Sequence, residues 1–230
     1  MKPLPVFVGY DSREEIGTHV FNASVLENTT CPVSITMLNK GVIERLSGGI
    51  FKNGSNAFTV LRFLVPWLMD FKGIALFCDG ADMVAAGDLC ELMDLLDLTK
   101  AVQVVKHDYK TKYPRKYLGT SLECDNLDYE RKQWASVMLF NCSHSAWRKV
   151  GPLFVQNMPA LELLQLRFLE DSAIGALPYE WNWLADEMGS NREAKIIHYT
   201  AGIPAFERHA NVPMAYSWLY YRNQVNHSVK

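Results

Sequence analysis

The chain has 230 residues, 49% of them hydrophobic and 21% charged, with a formal net charge of -2. That length and apolar share support one folded domain with a full core and exclude a disordered chain. The slight acidity argues against broad, sequence-independent binding to nucleic acid, which needs a basic face or stripe.

Met1 to Tyr10 carries one Lys and enters a strand-like stretch directly, so it does not read as a signal peptide. Leu4 to Gly9 (LPVFVG) is a short apolar run expected to be a buried strand. Tyr10-Asp11-Ser12-Arg13 breaks it, and Glu14 to Glu27 reads as a helix with Ile16, Val20, Phe21, Ser24 and Val25 on one side. Pro32 to Met37 has strand character, so the chain opens strand, helix, strand, the start of a parallel α/β sheet. Asn39 to Ser55 contains four glycines and is expected to be loop-rich. Phe58 to Met69 is apolar almost all round and predicts a buried helix whose regularity Pro66 limits.

Gly73 to Cys78 is the clearest central strand and stops at Asp79-Gly80-Ala81-Asp82. Leu89 to Leu96 looks helical, Ala101 to Val105 is a strand, and Lys106 to Arg131 is a polar, basic and aromatic excursion. Ala135 to Phe140 is a further strand, Trp147 to Phe168 is largely helical with a break at Pro159, and Ala194 to His198 is a last short strand. The aromatic tail from Val212 to Lys230 reads as a helix packing onto the domain.

No apolar run approaches the roughly 20 residues of a membrane span. The five cysteines lack CxxC spacing and are expected to be reduced thiols of a cytoplasmic protein.

Five constellations carry chemistry. Asp79 and Asp82 end a buried strand on either side of Gly80, where ligand sites of open α/β sheets lie, and hard oxygen ligands there suit Mn²⁺ or Mg²⁺. The alternative is an acidic turn with Asp82 capping a helix. His198 ends a strand before a loop containing Gly202, which suits a third metal ligand and a backbone approach to phosphate; the alternative is a core-edge histidine. Arg62 lies within an apolar stretch, where it either contacts a diphosphate or braces an acidic residue of the metal site. Lys106 to Lys116 is a basic segment whose His107-Asp108 start falls near the site, with a solvated surface loop as the alternative. Glu170-Asp171, followed by Trp181-Asn182-Trp183, is a carboxylate pair with aromatic faces suited to sugar; the alternatives are a helix-end charge pair and core tryptophans.

The ordered series YDSRE, FTVLRFLVPWL, ALFCDGADMVAAGDLCEL, VVKHDY, RKQWASVMLFNC, LPYEWNWL and IIHYTAGIPAF resembles the family-8-like glycosyltransferases of the GT-A fold, from about Val6 to Phe206. The resemblance implies that Asp79, Asp82 and His198 hold the metal, and that Gly9, Tyr10 and Asp11 hold the nucleoside. It sets Arg62 near the donor phosphates and Glu170 and Asp171 near the transferred sugar. The motif is Asp-x-x-Asp, one residue longer than the usual Asp-x-Asp. A bulge at Gly80-Ala81 restores the geometry, or else one Asp serves a donor hydroxyl. The late motif lacks the Lys often found there, so a basic residue between Lys106 and Lys116 substitutes.

The expectation is a single-domain, Rossmann-like GT-A fold over residues 1–230, with a mostly parallel central sheet flanked by helices and an aromatic-rich extension over 207–230. The expected activity is metal-dependent transfer of a sugar, with retention, from a nucleotide-diphosphate donor such as a UDP-sugar to a hydroxyl acceptor. The donor contacts are Gly9, Tyr10, Asp11, Arg62, Asp79, Gly80, Lys106, His107 and Gly202; the catalytic pair is Glu170 and Asp171. The acceptor is left open among a glycan, a protein and a hydroxylated nucleic-acid base. The rival readings are a sugar-nucleotide nucleotidyltransferase and a catalytically inactive sugar- or nucleotide-binding scaffold.

Overall fold

Successive side chains of a strand point to opposite faces. The first strand, β1 (Leu4–Gly9), therefore sends Val6 and Val8 into one apolar cluster and Phe7 into another. Strand β3 (Ile74–Cys78) does the same, with Leu76 and Cys78 against Ala75 and Phe77. Both faces of the sheet are thus covered, as a largely parallel sheet requires.

The computed structural model describes residues 2–52 and 54–227. After β1, α1 (Glu15–Asn28) leads to β2 (Val33–Leu38), then α2 (Lys40–Ser47) and α3 (Val65–Leu68) precede β3. Next come β4 (Met83–Ala85), β5 (Val102–Val105), and a small antiparallel pair, β6 (Arg115–Lys116) with β7 (Cys124–Asp125). Strand β8 (Val137–Asn141), helices α4 (Pro152–Asn157) and α5 (Ala160–Leu164), and strands β9 (Ile174–Leu177) and β10 (Trp183–Leu184) follow. Helix α6 (Ala185–Met188), β11 (Ile196–His198) and α7 (Ala215–His227) complete the order.

The main sheet has six strands in the order β2-β1-β3-β8-β5-β9, parallel except where β8 runs against β3 and β5. A second sheet, β10-β11-β4, stands beside it. There β11 pairs antiparallel with β4 and sets His198 opposite Met83. Helix α7 packs on α1: Trp218 and Tyr221 join Val20 in a third apolar cluster, and the Tyr221 hydroxyl lies 2.6 Å from Asn28 Nδ2. Among the described residues no helix is long and apolar enough to cross a membrane.

Three expectations need correction. Asn39 to Ser55 is loop only in its second half, because α2 occupies the first. Its glycines punctuate the helix instead of abolishing it: Asn39 Oδ1 accepts from Val42 N at the start, and Gly48 closes the end in the left-handed region at φ 66°. Phe58 to Met69 is buried but not one helix; it is a 3-10 turn over Leu61–Leu64 followed by α3, with Pro66 in the first turn of α3. The cysteines are not all thiols either. Cys31 and Cys90 form a disulfide across a sequence separation of 59, leaving Cys78, Cys124 and Cys142 free. The spacing gave no sign of it, because the loop after α1 meets the turn after β4 only in the folded chain.

Candidate metal and donor site

The carboxyl end of β3 runs directly into Asp79. A tight reversal follows, in which Ala81 N donates to Asp79 O at 2.8 Å and Met83 N donates to Gly80 O at 3.1 Å. Gly80 takes φ 73°, and a Cβ there would stand 2.3 Å from Val8 Cγ1. Only glycine fits both conditions. The reversal lets the extra residue of the Asp-x-x-Asp motif loop out while both carboxylates stay together. Helix α1 closes over this turn, since a Cβ on Gly17 would lie 1.8 Å from Ala81 O.

His198 arrives from the second sheet, carried by its pairing opposite Met83, and Tyr199 N donates to Asp82 O at 2.9 Å. Asp79, Asp82 and His198 are all buried, and each offers a ligand atom within 4.8 Å of the others. His198 Nε2 lies 3.4 Å from Asp82 Oδ2, while its Nδ1 is 2.9 Å from Asn182 Oδ1. Asn182 Nδ2 in turn donates to Gln133 O at 3.1 Å, which fixes the amide's orientation. Asn182 therefore faces the imidazole as an acceptor, holds the proton on Nδ1 and aims Nε2 at Asp82.

The donor set tests well for a divalent ion. Asp82 Oδ1 is buried without a hydrogen-bond partner, a costly state that a cation relieves, while Asp79 Oδ1 meets the Arg62 guanidinium at 2.6 Å. Two carboxylates and an imidazole suit Mn²⁺ or Mg²⁺. Burial pushes the Asp79 carboxyl upward even with Arg62 beside it. Burial opposes ionisation of the Asp82–His198 pair too, but their mutual attraction prevails, lowering Asp82 and raising His198.

Arg62 sits on the Leu61–Leu64 turn, with NH1 2.6 Å from Asp79 Oδ1 and also donating to Ala135 O at 2.6 Å. Its Nε donates to Thr59 O at 2.9 Å, and its guanidinium lies 5.0 Å from the centre of the Phe77 ring. The buried charge thus braces Asp79 and still faces the cleft.

A cleft of about 380 Å³ opens over these four residues. Lys116 and Tyr117 form part of its wall, with Lys116 Nζ 3.2 Å from Ser55 Oγ and 4.9 Å from the centre of the Tyr117 ring. Two of its residues, Tyr117 and Gln133, hold positive φ of 58° and 65°. Such strain in non-glycine residues concentrates at functional sites.

The other expected residues fall around the cleft rather than in its wall. Gly9 is needed where the end of β1 approaches Phe58 and the Asp79 backbone, which a Cβ would meet at 2.4 and 2.7 Å. Asp11 is spent on Arg13 and on Ala57 N, at 2.6 and 2.9 Å from its Oδ2. Tyr10 donates to Glu15 at 3.2 Å. Lys106 Nζ donates to Ile174 O at 2.8 Å. His107 is buried, 2.9 Å from Asn182 O, and opens on a neighbouring cleft with Tyr109 and Tyr179; burial and the nearby His198 press its pKa down to about 4. A Cβ on Gly202 would strike the His209 ring at 2.6 Å. Glu170 and Asp171 are exposed, and Asp171 pairs with Arg131 at 2.6 Å. Trp181 is core, and Trp183 donates to Gly189 O at 2.8 Å. Gln133 and Ser136 also line the cleft, with Ser136 Oγ donating to Gln133 Oε1 at 2.6 Å, and nothing in their local sequence points there; the polar Asn182 between two tryptophans was the one available signal.

No protein-family model matches the chain. Along its length it is similar to Protein CDI of Arabidopsis thaliana, with 34% identity over 236 residues, covering 98% of this chain and 88% of that protein. The chain belongs to the Protein CDI family. Solved structures similar to this CDI-family chain are glycosyltransferases. The bifunctional glycosyltransferase WbbM matches with a TM-score of 0.66 at 15% identity over 96% of this chain, which spans 49% of WbbM, about half its length. The galactosyltransferase LgtC, solved with donor and acceptor sugar analogs, matches with a TM-score of 0.61 at 13% identity over 96% of both chains. The glycosyltransferase GlyE of Streptococcus pneumoniae TIGR4 matches with a TM-score of 0.61 at 15% identity, over 100% of this chain and 65% of GlyE. At such identities the likeness establishes the fold: this CDI-family chain has the mixed α/β, mostly parallel GT-A architecture.

Proposed function

We propose that this chain is a metal-dependent glycosyltransferase that moves a sugar from a nucleotide-diphosphate donor, in the first place a UDP-sugar, to a hydroxyl acceptor with retention of configuration. The observation that carries this reading is the convergence of Asp79, Asp82 and His198 at the end of β3, with Asp82 Oδ1 buried and unpartnered, inside a cleft of a GT-A fold. The similarity of this fold to glycosyltransferases supports it by analogy.

Asp79, Asp82 and His198 would hold Mn²⁺ or Mg²⁺, which supplies positive charge to a departing diphosphate. Asn182 orients His198 for that task. Arg62 keeps Asp79 in place and adds a fixed cation, and Lys116 adds a second at the cleft wall. Preorganised charge of this kind is the main source of rate in such sites, because it need not reorganise as negative charge develops. Glu170 and Asp171, exposed and with Asp171 paired to Arg131, are assigned to the transferred sugar by the resemblance, and Asp171→Asn with Glu170→Gln tests that assignment.

The test is UDP release from a panel of UDP-sugars with Mn²⁺ and with EDTA. Metal-dependent release, abolished in Asp82→Asn with an unchanged melting temperature, is the expected result. Full activity in EDTA removes the metal from the mechanism, and wild-type rates in Asp82→Asn remove the site.

A further inference from the structure

The metal cleft continues into a groove. Asp128, Tyr129 and Lys132, on its wall, also border a hollow of about 390 Å³. That hollow shares His107, Asp108, Tyr109 and Lys110 with a further one of about 280 Å³, which reaches Tyr179 and Met188. Tyr129 stands where the run leaves the metal cleft, close enough for Arg62 and Asp79 to act on its hydroxyl. Tyr109 stands in the middle, and Tyr179, 45% exposed, at the far end. The rings of Tyr109 and Tyr179 lie 6.0 and 5.3 Å from that of His107, centre to centre. Asp11, expected beside the nucleoside, accepts from Ala57 N next to the Gly54–Asn56 wall of the metal cleft, so the groove leaves by a different wall.

Between these rings lie polar groups of both kinds that the fold leaves open. Asp108 and Lys110 are exposed and make no hydrogen bond or ion pair with any described residue. Asp128 spends Oδ1 on Thr111 N at 2.9 Å and on Lys132 Nζ at 3.7 Å, and its Oδ2 is free. His107 is buried and neutral. Its Nε2 donates to Asn182 O at 2.9 Å, since a carbonyl only accepts, which makes Nδ1 a bare acceptor. The other charges of the groove are matched: Arg131 pairs with Asp171, Glu130 with Arg167, and Lys112 Nζ donates to Glu187 O.

This pattern selects the ligand. Two open carboxylates against one open ammonium disfavour a polyanion. An aliphatic chain would cover Asp108, Lys110 and His107 Nδ1 and leave them unpaired. A sugar meets both demands: its apolar ring face suits a tyrosine ring, and each hydroxyl both donates and accepts. Tyrosines recurring along one groove fit a chain of such rings. We propose that the groove is the acceptor site and takes a neutral oligosaccharide, its terminal sugar at Tyr129 and further sugars on Tyr109 and Tyr179. The role as acceptor rests on the glycosyltransferase reading; the binding of the sugar chain does not.

The test is calorimetric titration of the full-length protein, without donor, with the disaccharide and the hexasaccharide of the cello, malto, manno, xylo and chito series. At least one hexasaccharide should bind about 10-fold or more tightly than its disaccharide, as two further stacked rings allow. Tyr179→Ala should weaken that hexasaccharide by about 5-fold and leave its disaccharide unchanged. Asp108→Ala with Lys110→Ala, at exposed sites without partners, should act in the same direction with an unchanged melting temperature, so a folding defect in Tyr179→Ala leaves the question decidable. No binding in any series, or affinity independent of length, overturns the proposal. A hexasaccharide advantage that survives both variants overturns the placement in this groove. Tighter binding of a single-stranded oligonucleotide or a Ser/Thr-rich peptide than of any hexasaccharide overturns the occupant. Failure of the wild-type protein to hydrolyse any UDP-sugar strikes the glycosyltransferase reading instead, and the titration still judges the groove.

Discussion

Asn182 accepts a hydrogen bond from His198 Nδ1 at 2.9 Å and is itself anchored to the carbonyl of Gln133. This ties the β11 histidine to the loop that leads into β8, and so joins the two sheets behind the metal site. Removing the tie should free the imidazole to rotate. Asn182→Ala is expected to weaken Mn²⁺ binding by about 10- to 100-fold, the usual effect of losing an outer partner of a histidine ligand. Calorimetric titration of Mn²⁺ with UDP measures it, and an unchanged Kd would show that Asn182 is only a packing residue.

Arg62 and Asp79 form a buried pair at 2.6 Å with little solvent to screen it. Such a pair gives little net stability, but removing one partner strands the other. Arg62→Met should therefore destabilise the fold by about 3 kcal/mol or more. Adding Asp79→Asn should recover part of that loss, a coupling of about 1 kcal/mol or more in urea denaturation. Strict additivity of the two substitutions would contradict the bracing role.

The main strands were readable because their apolar runs are continuous: LPVFVG and GIALFC became β1 and β3 with ends at most a residue from those expected. The grouping of Asp79, Asp82 and His198 was readable because each is a titratable residue at the end of an apolar strand, and Arg62 because it is a charge inside an apolar stretch. What stayed hidden depends on chain crossings. Nothing local to Met83–Ala85 says that it pairs with β11, yet that pairing is what delivers His198. Cys31 and Cys90 meet for the same kind of reason. The sequence likewise could not show that Asp11, expected beside the nucleoside, also holds Arg13 and Ala57 N.

Glu14 offers a pH test. It is 1% exposed, neither carboxylate oxygen has a partner, and burial together with Asp82 and Asp11 raises its pKa from 4.5 to about 8. The folded state therefore favours the neutral acid. The stability this contributes is fully present below pH 4.5 and is lost as the pH rises through about 8. Each unit of displacement is worth about 1.4 kcal/mol. Glu14→Gln keeps the shape and removes the charge, so its stability relative to the parent should rise between pH 5 and pH 8 and level off above that. A stability difference that is flat over that range would show that Glu14 does not titrate there.

The Cys31–Cys90 bond ties the loop after α1 to the 3-10 turn over Leu89–Leu95, where Thr30 N also donates to Asp88 at 3.2 Å. Closing a loop with a sequence separation of 59 restricts the unfolded chain more than the folded one. The chain-entropy relation gives about 4 kcal/mol for a loop of that size. In a protein of this length that corresponds to a melting temperature higher by about 10 °C. Reduction, or Cys31→Ser with Cys90→Ser, should remove the increment, while metal-dependent UDP binding persists, because neither cysteine borders the cleft. Thiol titration of the denatured, unreduced protein should count the three free cysteines Cys78, Cys124 and Cys142. A count of all five would mean that the pair stays reduced, and the melting temperature should then be indifferent to reductant.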